Sequence, residues 1–355
     1  MSPLPAVRSS RPIAIWLLAG VGMIIIQIIL GGITRLTGSG LSITEWNVVT
    51  GTLPPLNESA WLEEFAKYKG TPQFHYLNAD FSLKDFKFIF FWEWFHRLWA
   101  RLIGVVFLIP FVIFLVQKRF RPSMVKPMLI LFLLGALQGA IGWIMVASGL
   151  TGDAIYVRPT RLALHFIFAL GLLSYTYWFA LELLVPEEKR VHDTRSFRLT
   201  GWILLLLFFQ LIYGALMAGH KAATAAPTWP DINGKIIPDG LMNQDGWLNW
   251  IDNRIAIHFV HRGLAYMLVI MVILLSIRLF KLKGSALFTR YRWWPLALVL
   301  TQSFLGILSV LNSLKIIPNQ WGAFEWLAQW HQFIGISLLL SLLWTLFMVR
   351  KSLNH

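Results

Sequence analysis

The chain has 355 residues, of which 57% are hydrophobic and only 14% are charged, with a formal net charge of +14 and no cysteine. Soluble domains carry about 25% charged residues, so this composition cannot cover a water-facing surface and indicates an integral membrane protein. The absence of cysteine excludes disulfide scaffolds, zinc–cysteine sites, iron–sulfur clusters and thiol nucleophiles, which leaves His, Met and carboxylates as metal ligands.

Apolar segments that can cross a hydrocarbon core of about 30 Å recur along the chain. They lie at residues 14–33, 90–116, 127–148, 161–185, 199–219, 256–279, 293–313 and 328–349. Only the short basic stretch from Arg8 to Arg11 precedes the first segment, and no small-residue cleavage site follows, so we expect a retained helix instead of a signal peptide. We therefore predict an all-α integral membrane protein with eight transmembrane helices. The lack of a long transit peptide favours a bacterial plasma (inner) membrane.

Basic residues are distributed unevenly between alternate connections. One set of connections holds 17 of the 31 Lys and Arg residues, and the other set holds 11, most of them among acidic neighbours. The positive-inside rule therefore predicts that both termini are cytoplasmic. Because the charge surplus encodes topology, it gives no case for nucleic-acid binding. The longer connections, 34–88 and 220–254, are then expected on the outer face.

The chain repeats itself at a nearly constant interval. The segment around His96 recurs around His261, Gln138-Gly-Ala-Ile-Gly recurs as Gln302-Ser-Phe-Leu-Gly, and the His165 segment recurs around His331, at offsets of 165, 164 and 166 residues. Gln27-Ile-Ile-Leu-Gly-Gly also recurs loosely as Gln210-Leu-Ile-Tyr-Gly-Ala. This regularity predicts two tandem pseudo-symmetric four-helix bundles, residues 1–190 and 191–355, related by an axis along the membrane normal.

Histidines fall at matched positions in the even-numbered segments: His96, His165, His261 and His331. Their distances from the next cytoplasmic basic residue place all of them in one layer, near the outer edge of the core. The residue four positions after each is small, Ala100, Ala169, Ala265 and Gly335, and shares its helix face. Two imidazoles per bundle with a notch beside each are typical of heme ligation, which predicts two heme sites. Close helix packing through small residues, or a copper or zinc cluster, is the alternative.

The two halves differ at the position three residues before the first histidine of each pair. This position holds Glu93 in the first half and His258 in the second. A carboxylate at this depth is costly and is a functional candidate, and the alternative is an interfacial Glu paired with Arg97 or Arg101. Arg97 and Arg262 directly follow their histidines. There they could pair with heme propionates, or extend to the membrane interface as the alternative. The remaining histidines, His75, His192, His220 and His355, are assigned no ligand role.

These residues resemble the heme A synthase family. The resemblance is carried by Gly31-Gly-Ile-Thr-Arg35-Leu-Thr-Gly-Ser-Gly-Leu-Ser-Ile-Thr-Glu-Trp46, by Phe91-Trp-Glu93-Trp-Phe-His96-Arg97, by the His165 helix, by His261-Arg262 and by the His331 helix. It covers essentially the whole chain in order. Because the first outer loop lacks cysteine, the sequence resembles the cysteine-free branch of the family.

The resemblance implies an oxidoreductase that converts the C8 methyl of heme O to a formyl group, giving heme A for terminal oxidases. His96 and His165 then bind the substrate heme, Glu93 is the catalytic carboxylate, and His261 and His331 bind a heme B cofactor. Arg35 and His258 complete the candidate site residues. Heme O synthase and cytochrome oxidase assembly factors are the implied partners besides membrane lipid, and the electron donor stays open.

Two other functions remain open from the residues: a di-heme b-type electron-transfer cytochrome, and a heme transporter or chaperone. A simple relay has no need for a carboxylate in one half only, and transport would survive the loss of Glu93. Iron held by two histidines has no free position for oxygen. Either one ligand is labile or heme B only relays electrons, and the sequence leaves both open.

Overall fold

The computed structural model describes residues 10–46 and 50–351, so Arg8 and His355 lie outside the described residues. The described part is all-helical, with connecting loops. Its α-helices in chain order are α1 (Arg11–Leu36), α2 (Glu58–Lys69), α3 (Pro72–Leu77), α4 (Leu83–Val116), α5 (Pro122–Ala147), α6 (Pro159–Leu184), α7 (Thr194–Gly219), α8 (Asn249–Asp252), α9 (Arg254–Lys281), α10 (Ala286–Tyr291), α11 (Trp294–Leu311) and α12 (Ala323–Val349).

Among these residues, eight helical segments are long and apolar enough to cross a membrane, which confirms the predicted number. They are α1, α4, α5, α6, α7, α9, the continuous α10–α11 segment and α12. Eight crossings, an even number, would put both ends of the described chain on the same side. That this side is the cytoplasm stays a prediction.

Helix ends depend on capping residues that apolar content does not show. Helix α4 begins at Leu83, well before the apolar segment predicted from residue 90, because Ser82 and Asp85 form a capping box. The backbone N–H of Ser82 donates to the Asp85 carboxylate at 3.0 Å. Helices α5 and α6 begin at Pro122 and Pro159, where proline fits the first helical turn without losing a hydrogen bond.

The first outer loop contains two helices that the hydropathy pattern did not predict. Helices α2 and α3 pack on the start of α4 through a buried aromatic cluster that includes Phe65, Tyr68, Phe74 and Phe86. The rings of Phe65 and Phe86 stack with centroids 5.0 Å apart. This loop, predicted to lie on the outer face, therefore forms a folded cap over the start of α4.

The helices of each predicted half pack chiefly within that half. In the first half α1 contacts α4 and α6, and α5 contacts α6, whereas in the second half α7 contacts α9 and α12, and α11 contacts α9 and α12. The halves join where α6 meets α7 and where α12 meets α1 and α6. Gln332 and Gln329 on α12 donate to the carbonyls of Ile28 and Ile29 on α1 at 2.8 and 3.2 Å. The domain boundary at residues 190/191 and the axis between the halves stay predictions.

One pair of helices breaks the correspondence between the halves. Helices α9 and α11 of the second half pack against each other. Within the described ranges, their counterparts α4 and α5 make no extensive contact with each other. Val105 and Leu108 on α4 and Phe132 on α5 are exposed and also border the interior cavity. The first half is therefore less closed between α4 and α5 than the second half is between α9 and α11.

Candidate functional site

A cavity of about 1530 Å³ runs through the interior and is lined by helices of both halves. Binding sites for single small molecules typically measure about 300–1,000 Å³, so this space suits more than one large ligand. All four histidines singled out in the sequence, His96, His165, His261 and His331, line it.

The small residues four positions after these histidines line the same cavity: Ala100, Ala169, Ala265 and Gly335. Each of these small residues therefore borders the same cavity as its histidine. The notch at Gly335 is not empty space, because a Cβ there would lie 3.2 Å from Nε2 of Gln302. A porphyrin edge at that position would have to share the space with the amide of Gln302.

Each histidine ring packs against a glycine on a neighbouring helix. A Cβ atom on Gly142 or Gly306 would lie 2.9 Å from Cε1 of His165 or His331, closer than real Cβ contacts allow. On Gly214 it would lie 3.4 Å from Cε1 of His261, and on Gly31 it would lie 3.3 Å from Nε2 of His96. The absence of a side chain at these glycines lets the rings sit against the neighbouring helix.

The His261 and His331 rings face each other in the second half. Their centroids are 6.4 Å apart and their planes are inclined by 71°. With a metal–imidazole nitrogen distance of about 2.0 Å, a single ion ligated by both rings would need ring centres about 6 Å apart. Nδ1 of His261 is buried without a hydrogen-bond partner. The pair therefore fits axial ligation of one heme iron.

The alternative of a multi-ligand metal cluster finds no support. Within residues 10–46 and 50–351, no group of three or more His, Cys, Asp or Glu side chains is arranged to hold a metal ion. Copper and zinc sites in proteins usually need three or four such ligands. The paired histidines suit heme better, because the porphyrin itself supplies the other four ligands of the iron.

Glu93 is buried, with 3% of its surface exposed, and lines the cavity beside His96. Its carboxylate accepts hydrogen bonds from the Ser42 hydroxyl at 2.7 Å and from the Ile43 backbone N–H at 2.9 Å. It also forms a salt bridge with Arg97 at 2.6 Å. The ion pair with Arg97, which sequence reasoning treated as the alternative to a functional role, is present, and it places the carboxylate in the cavity wall.

Arg97 fastens the first outer loop to α4. Its guanidinium donates to the carbonyls of Glu45 at 3.0 Å and Ile43 at 3.2 Å. The Trp46 ring lies 5.1 Å from the guanidinium carbon, within cation–π range. The predicted contact of Arg97 with a heme propionate stays a prediction, and the structure gives this arginine a role in holding the loop.

Arg262 occupies the matching position in the second half and holds the second outer loop. It donates to the carbonyls of Ala226, Thr228 and Asp231 at 2.7–2.9 Å. His258, fully buried, hydrogen-bonds through Nε2 to the Ala222 carbonyl at 2.7 Å. A propionate contact for Arg262 likewise stays a prediction.

Local electrostatics stabilise the fold of both outer loops. In the second loop, a hydrogen bond from the Thr228 hydroxyl, followed by one from the Gly234 N–H, lowers the pKa of the Asp231 carboxyl. In the first loop, burial raises the pKa of Tyr68 to about 12. Tyr68 therefore stays protonated at neutral pH, and its hydroxyl donates to Gln73 and accepts from Asn78.

Arg35 also borders the cavity, near the end of α1. Glu325, in the first turn of α12, is the carboxylate with which it interacts electrostatically. The Glu325 carboxylate also accepts a hydrogen bond from the Gly322 N–H at 2.9 Å, which caps α12. The structure thus places Arg35 at the boundary between the halves.

Sequence reasoning assigned no role to four glutamines that reach the histidines. Gln27, Gln138, Gln210 and Gln302 line the cavity, and each hydrogen-bonds to one of the four cavity histidines. The sequence contains a pattern that could have identified them, because each glutamine stands four residues before a glycine. In the structure each of these glycines lies against a histidine ring.

Comparison with known proteins matches this arrangement to one family. The sequence model of the COX15-CtaA family, described as cytochrome oxidase assembly protein, matches residues 14–343. The chain is 38% identical to heme A synthase of Flavobacterium psychrophilum, over 96% of this chain and 98% of that protein. It is 41% identical to heme A synthase of Rhodospirillum centenum, over 98% and 91% of the two chains. The chain therefore belongs to the COX15-CtaA family of cytochrome oxidase assembly proteins.

Proposed function

We propose that the chain is a heme A synthase that oxidises the C8 methyl of heme O to a formyl group, giving heme A for terminal oxidases. The observation that carries the proposal is the Glu93 carboxylate, which lies in the cavity wall three residues before His96. The matching position of the second half holds His258, which instead binds a loop carbonyl. At this repeat position only the first half has an acidic group, as expected if one heme is changed and the other assists.

The proposal assigns His96 and His165 to heme O, and His261 and His331 to a heme B cofactor. The 6.4 Å ring spacing in the second half supports a resident heme there, as does the packing of α9 on α11. The separation of α4 from α5 supports the first half as the site of a substrate that enters and leaves through the membrane. When bound, heme B supplies one-electron transfer.

The protein contributes position and charge to the oxidation. Ser42, Ile43 and Arg97 fix the Glu93 carboxylate through three contacts, which removes its freedom to rotate away from the cavity. A carboxylate held this way stabilises positive charge, or accepts a proton, at a substrate methyl placed beside it. The folded first outer loop, tied down by Arg97, limits access of water from the outer face.

The cellular setting is part of the same proposal. We place the chain in a bacterial inner membrane with both termini cytoplasmic, a substrate-binding half at residues 1–190 and a cofactor-binding half at residues 191–355. Heme O synthase and cytochrome oxidase assembly factors are the expected partners, because one supplies the substrate and the others take up the product.

Pigment analysis tests the proposal. The full-length chain is expressed in cells that make heme O and lack a heme A synthase, and hemes are extracted from the purified protein and from the membranes. We expect heme B together with heme O and newly formed heme A. Heme B alone, with heme O supplied, would establish the di-heme cytochrome and overturn the proposal.

The role of Glu93 is tested with Glu93→Ala in the same cells. The proposal expects the variant to bind heme and to form no heme A, because the acidic group is lost while all four histidines remain. Continued heme A formation by this variant would remove Glu93 from the mechanism.

A further inference from the structure

Arg35 is a basic residue of a membrane-spanning helix that borders the cavity without a direct partner. It is half-buried near the end of α1. In the described part of the chain its guanidinium makes no hydrogen bond and no close ion pair, and Glu325 acts on it only at longer range. A charged side chain within a membrane-spanning helix is costly unless it is paired. The cavity wall therefore presents a cation that an anionic ligand can neutralise.

Contacts between α1 and α4 fix the level of Arg35 along the cavity. The side chain of Gln27 on α1 donates to the carbonyl of His96 on α4 at 3.1 Å. Further along α1, the hydroxyl of Thr34 donates to the carbonyl of Trp92, earlier on α4, at 3.4 Å. The two helices therefore run antiparallel, and Arg35, which directly follows Thr34, lies level with the residues next to Trp92.

Arg35 and Glu93 consequently lie on the same side of the first histidine. Gly31 is one helical turn before Arg35 and shares its helix face, and a Cβ atom on Gly31 would lie 3.3 Å from Nε2 of His96. On the antiparallel helix, Glu93 is about one turn before His96. Both charged side chains border the cavity. A ligand bound at His96 therefore meets a cation and a carboxylate along the same edge.

The other basic residues that border the cavity are Arg97, Arg101, Lys221 and Arg262. The guanidinium groups of Arg97 and Arg262 are engaged by carbonyls of the two outer loops. The Lys221 ammonium lies 3.6 Å from the centroid of the Tyr156 ring. Arg101 comes five residues after His96 on α4, so it lies on the side of that histidine away from Glu93. Arg35 is therefore the cation best placed for a ligand beside Glu93.

The second half has no counterpart of Arg35. The repeat aligns Gln27 and Gly31 with Gln210 and Gly214, and eight residues after Gln210 stands Ala218, which also borders the cavity. A cation at this position therefore belongs to the half that holds Glu93.

Packing between the halves does not require the charge either. Glu325 stands six residues before His331, and the residue six before His165 is Pro159. Helices α7 and α6 thus meet as α1 and α12 do, and there a Cβ atom on Gly219 would lie 2.8 Å from Cβ of Pro159. The equivalent junction is built from uncharged residues, which leaves ligand binding as the reason for Arg35.

The chemistry of the site selects a carboxylate ligand. The planar guanidinium matches a carboxylate through two parallel hydrogen bonds, and such charge-assisted pairs are the strong ones. A porphyrin such as heme O carries two propionates, and its C8 methyl shares a pyrrole ring with one of them. A cation that holds this propionate keeps the C8 methyl on the same side of the ring.

We propose that Arg35 binds a propionate of the substrate heme and thereby sets which edge of the porphyrin faces Glu93. This rests on the proposed function, because it takes heme O as the ligand of the first half. It makes Arg35 a specificity-determining residue, since a porphyrin held at this propionate presents the neighbouring methyl group to Glu93 and turns the methyl groups of distant pyrrole rings away.

The test compares the binding of heme O with that of its dimethyl ester. Esterification removes the charge of both propionates and leaves the ring, the iron and the prenyl chain unchanged. Each compound is titrated into the purified full-length protein that already carries heme B, and binding is followed by difference absorption. The variants are Arg35→Gln, Arg35→Lys and the control Arg161→Gln. Arg161 is also an arginine of the first half, but it donates to the Ile144 carbonyl at 3.0 Å and does not border the cavity.

We expect the parent to bind heme O roughly 10–100-fold more tightly than the ester, as the loss of a charged hydrogen-bonded pair implies. Arg35→Gln should bind both compounds about as weakly as the parent binds the ester, and its heme B content should match the parent. Arg161→Gln should keep the full preference. Arg35→Lys keeps the charge without the planar fork, so its preference should be reduced but present.

An unchanged preference in Arg35→Gln, or in Arg35→Lys if only that variant folds, would overturn the proposal. An equal loss in Arg161→Gln would also overturn it, because it would show a general effect of removing a positive charge. Loss of heme B from Arg35→Gln with the preference for heme O kept would place the contact at the cofactor and count against the proposal as well. A parent that prefers heme O to its ester but forms no heme A would refute the proposed function and leave the role of Arg35 standing.

Discussion

The two halves of the chain place the same residue types at matching positions and differ in how far they are closed. In both, a histidine is followed by an arginine that holds the carbonyls of an outer loop, Arg97 in the first half and Arg262 in the second. In the second half the paired helices α9 and α11 meet, whereas α4 and α5 of the first half do not make extensive contact.

The residue three positions before that histidine differs in chemistry but not in location. Glu93 accepts hydrogen bonds from the first outer loop, and His258 hydrogen-bonds to a carbonyl of the second. Both residues therefore fasten a loop, and of the two only Glu93 brings a carboxylate to the cavity wall. Under the proposed function, the carboxylate at this position and the separation of α4 from α5 are the two features that set the reacting half apart from the assisting half.

The strongest prediction concerns the ligands, because their loss removes a heme altogether. His261→Ala or His331→Ala is expected to abolish the heme B spectrum, since each ring supplies one axial ligand. His96→Ala is expected to impair heme A formation far more than heme B content. Absorption spectra of the reduced purified variants measure both effects. The reverse pattern would show that the halves are assigned the wrong way round.

A smaller loss of heme B is expected from adding a methyl group beside a proposed ligand. Gly306→Ala would place Cβ 2.9 Å from Cε1 of His331, and such overpacking typically costs about 1–3 kcal/mol. We expect reduced heme B retention and a lower thermal unfolding temperature. Gly201→Ala is the control in the same half, because no atom of another helix would lie within 4 Å of the added methyl group. Equal heme retention in the two variants would contradict the close fit.

Variants of the two matched arginines, Arg97 and Arg262, distinguish a role in holding the outer loop from a role in the reaction. Arg97→Gln removes loop contacts and the partner of Glu93, whereas Arg262→Gln removes loop contacts only. Hydrogen bonds to charged groups contribute about 1.5–3 kcal/mol, so both variants should show faster proteolysis of their own outer loop. Heme A formation should fall more in Arg97→Gln. Equal activities would show that the salt bridge to Glu93 has no part in the reaction.

The smallest effect is expected on acidification. The pKa of Asp231 is lowered in the folded protein by its hydrogen bond from Thr228, so its contribution to stability is present above the unfolded value of 3.8 and is lost as the pH falls through the folded value. Hydrogen exchange should therefore increase in loop 220–254 below about pH 4. Asp231→Asn should abolish this increase. An unchanged pH profile in the variant would contradict the assignment.

The spanning segments and the four cavity histidines could be predicted because their signals are local or repeated. Apolar length located all eight spanning segments, and the offsets near 165 residues identified His96, His165, His261 and His331 without any knowledge of tertiary contacts. The four small residues at the following helical turn were also placed correctly on the cavity wall.

Other features depend on contacts between distant segments, which the sequence pattern does not contain. The start of α4 depends on the Ser82–Asp85 cap, and α2 and α3 exist because their aromatic residues pack on α4. The backbone carbonyls that bind Arg97 and Arg262 become visible only when the outer loops are folded. The separation of α4 from α5 is likewise a tertiary property, since both segments are strongly apolar.

In the proposed function, Glu93, which stands at the repeat position of His258, distinguishes the reacting half from the assisting half. The most direct test is Glu93→Gln in the full-length protein, with heme A formed per heme B as the measured quantity. Glu182→Gln is the control, because Glu182 also pairs with an arginine, Arg350, at 3.1 Å but does not line the cavity. We expect unchanged heme B and a roughly 10²–10⁴-fold loss of heme A formation in Glu93→Gln alone. Normal heme A formation by Glu93→Gln would contradict this expectation.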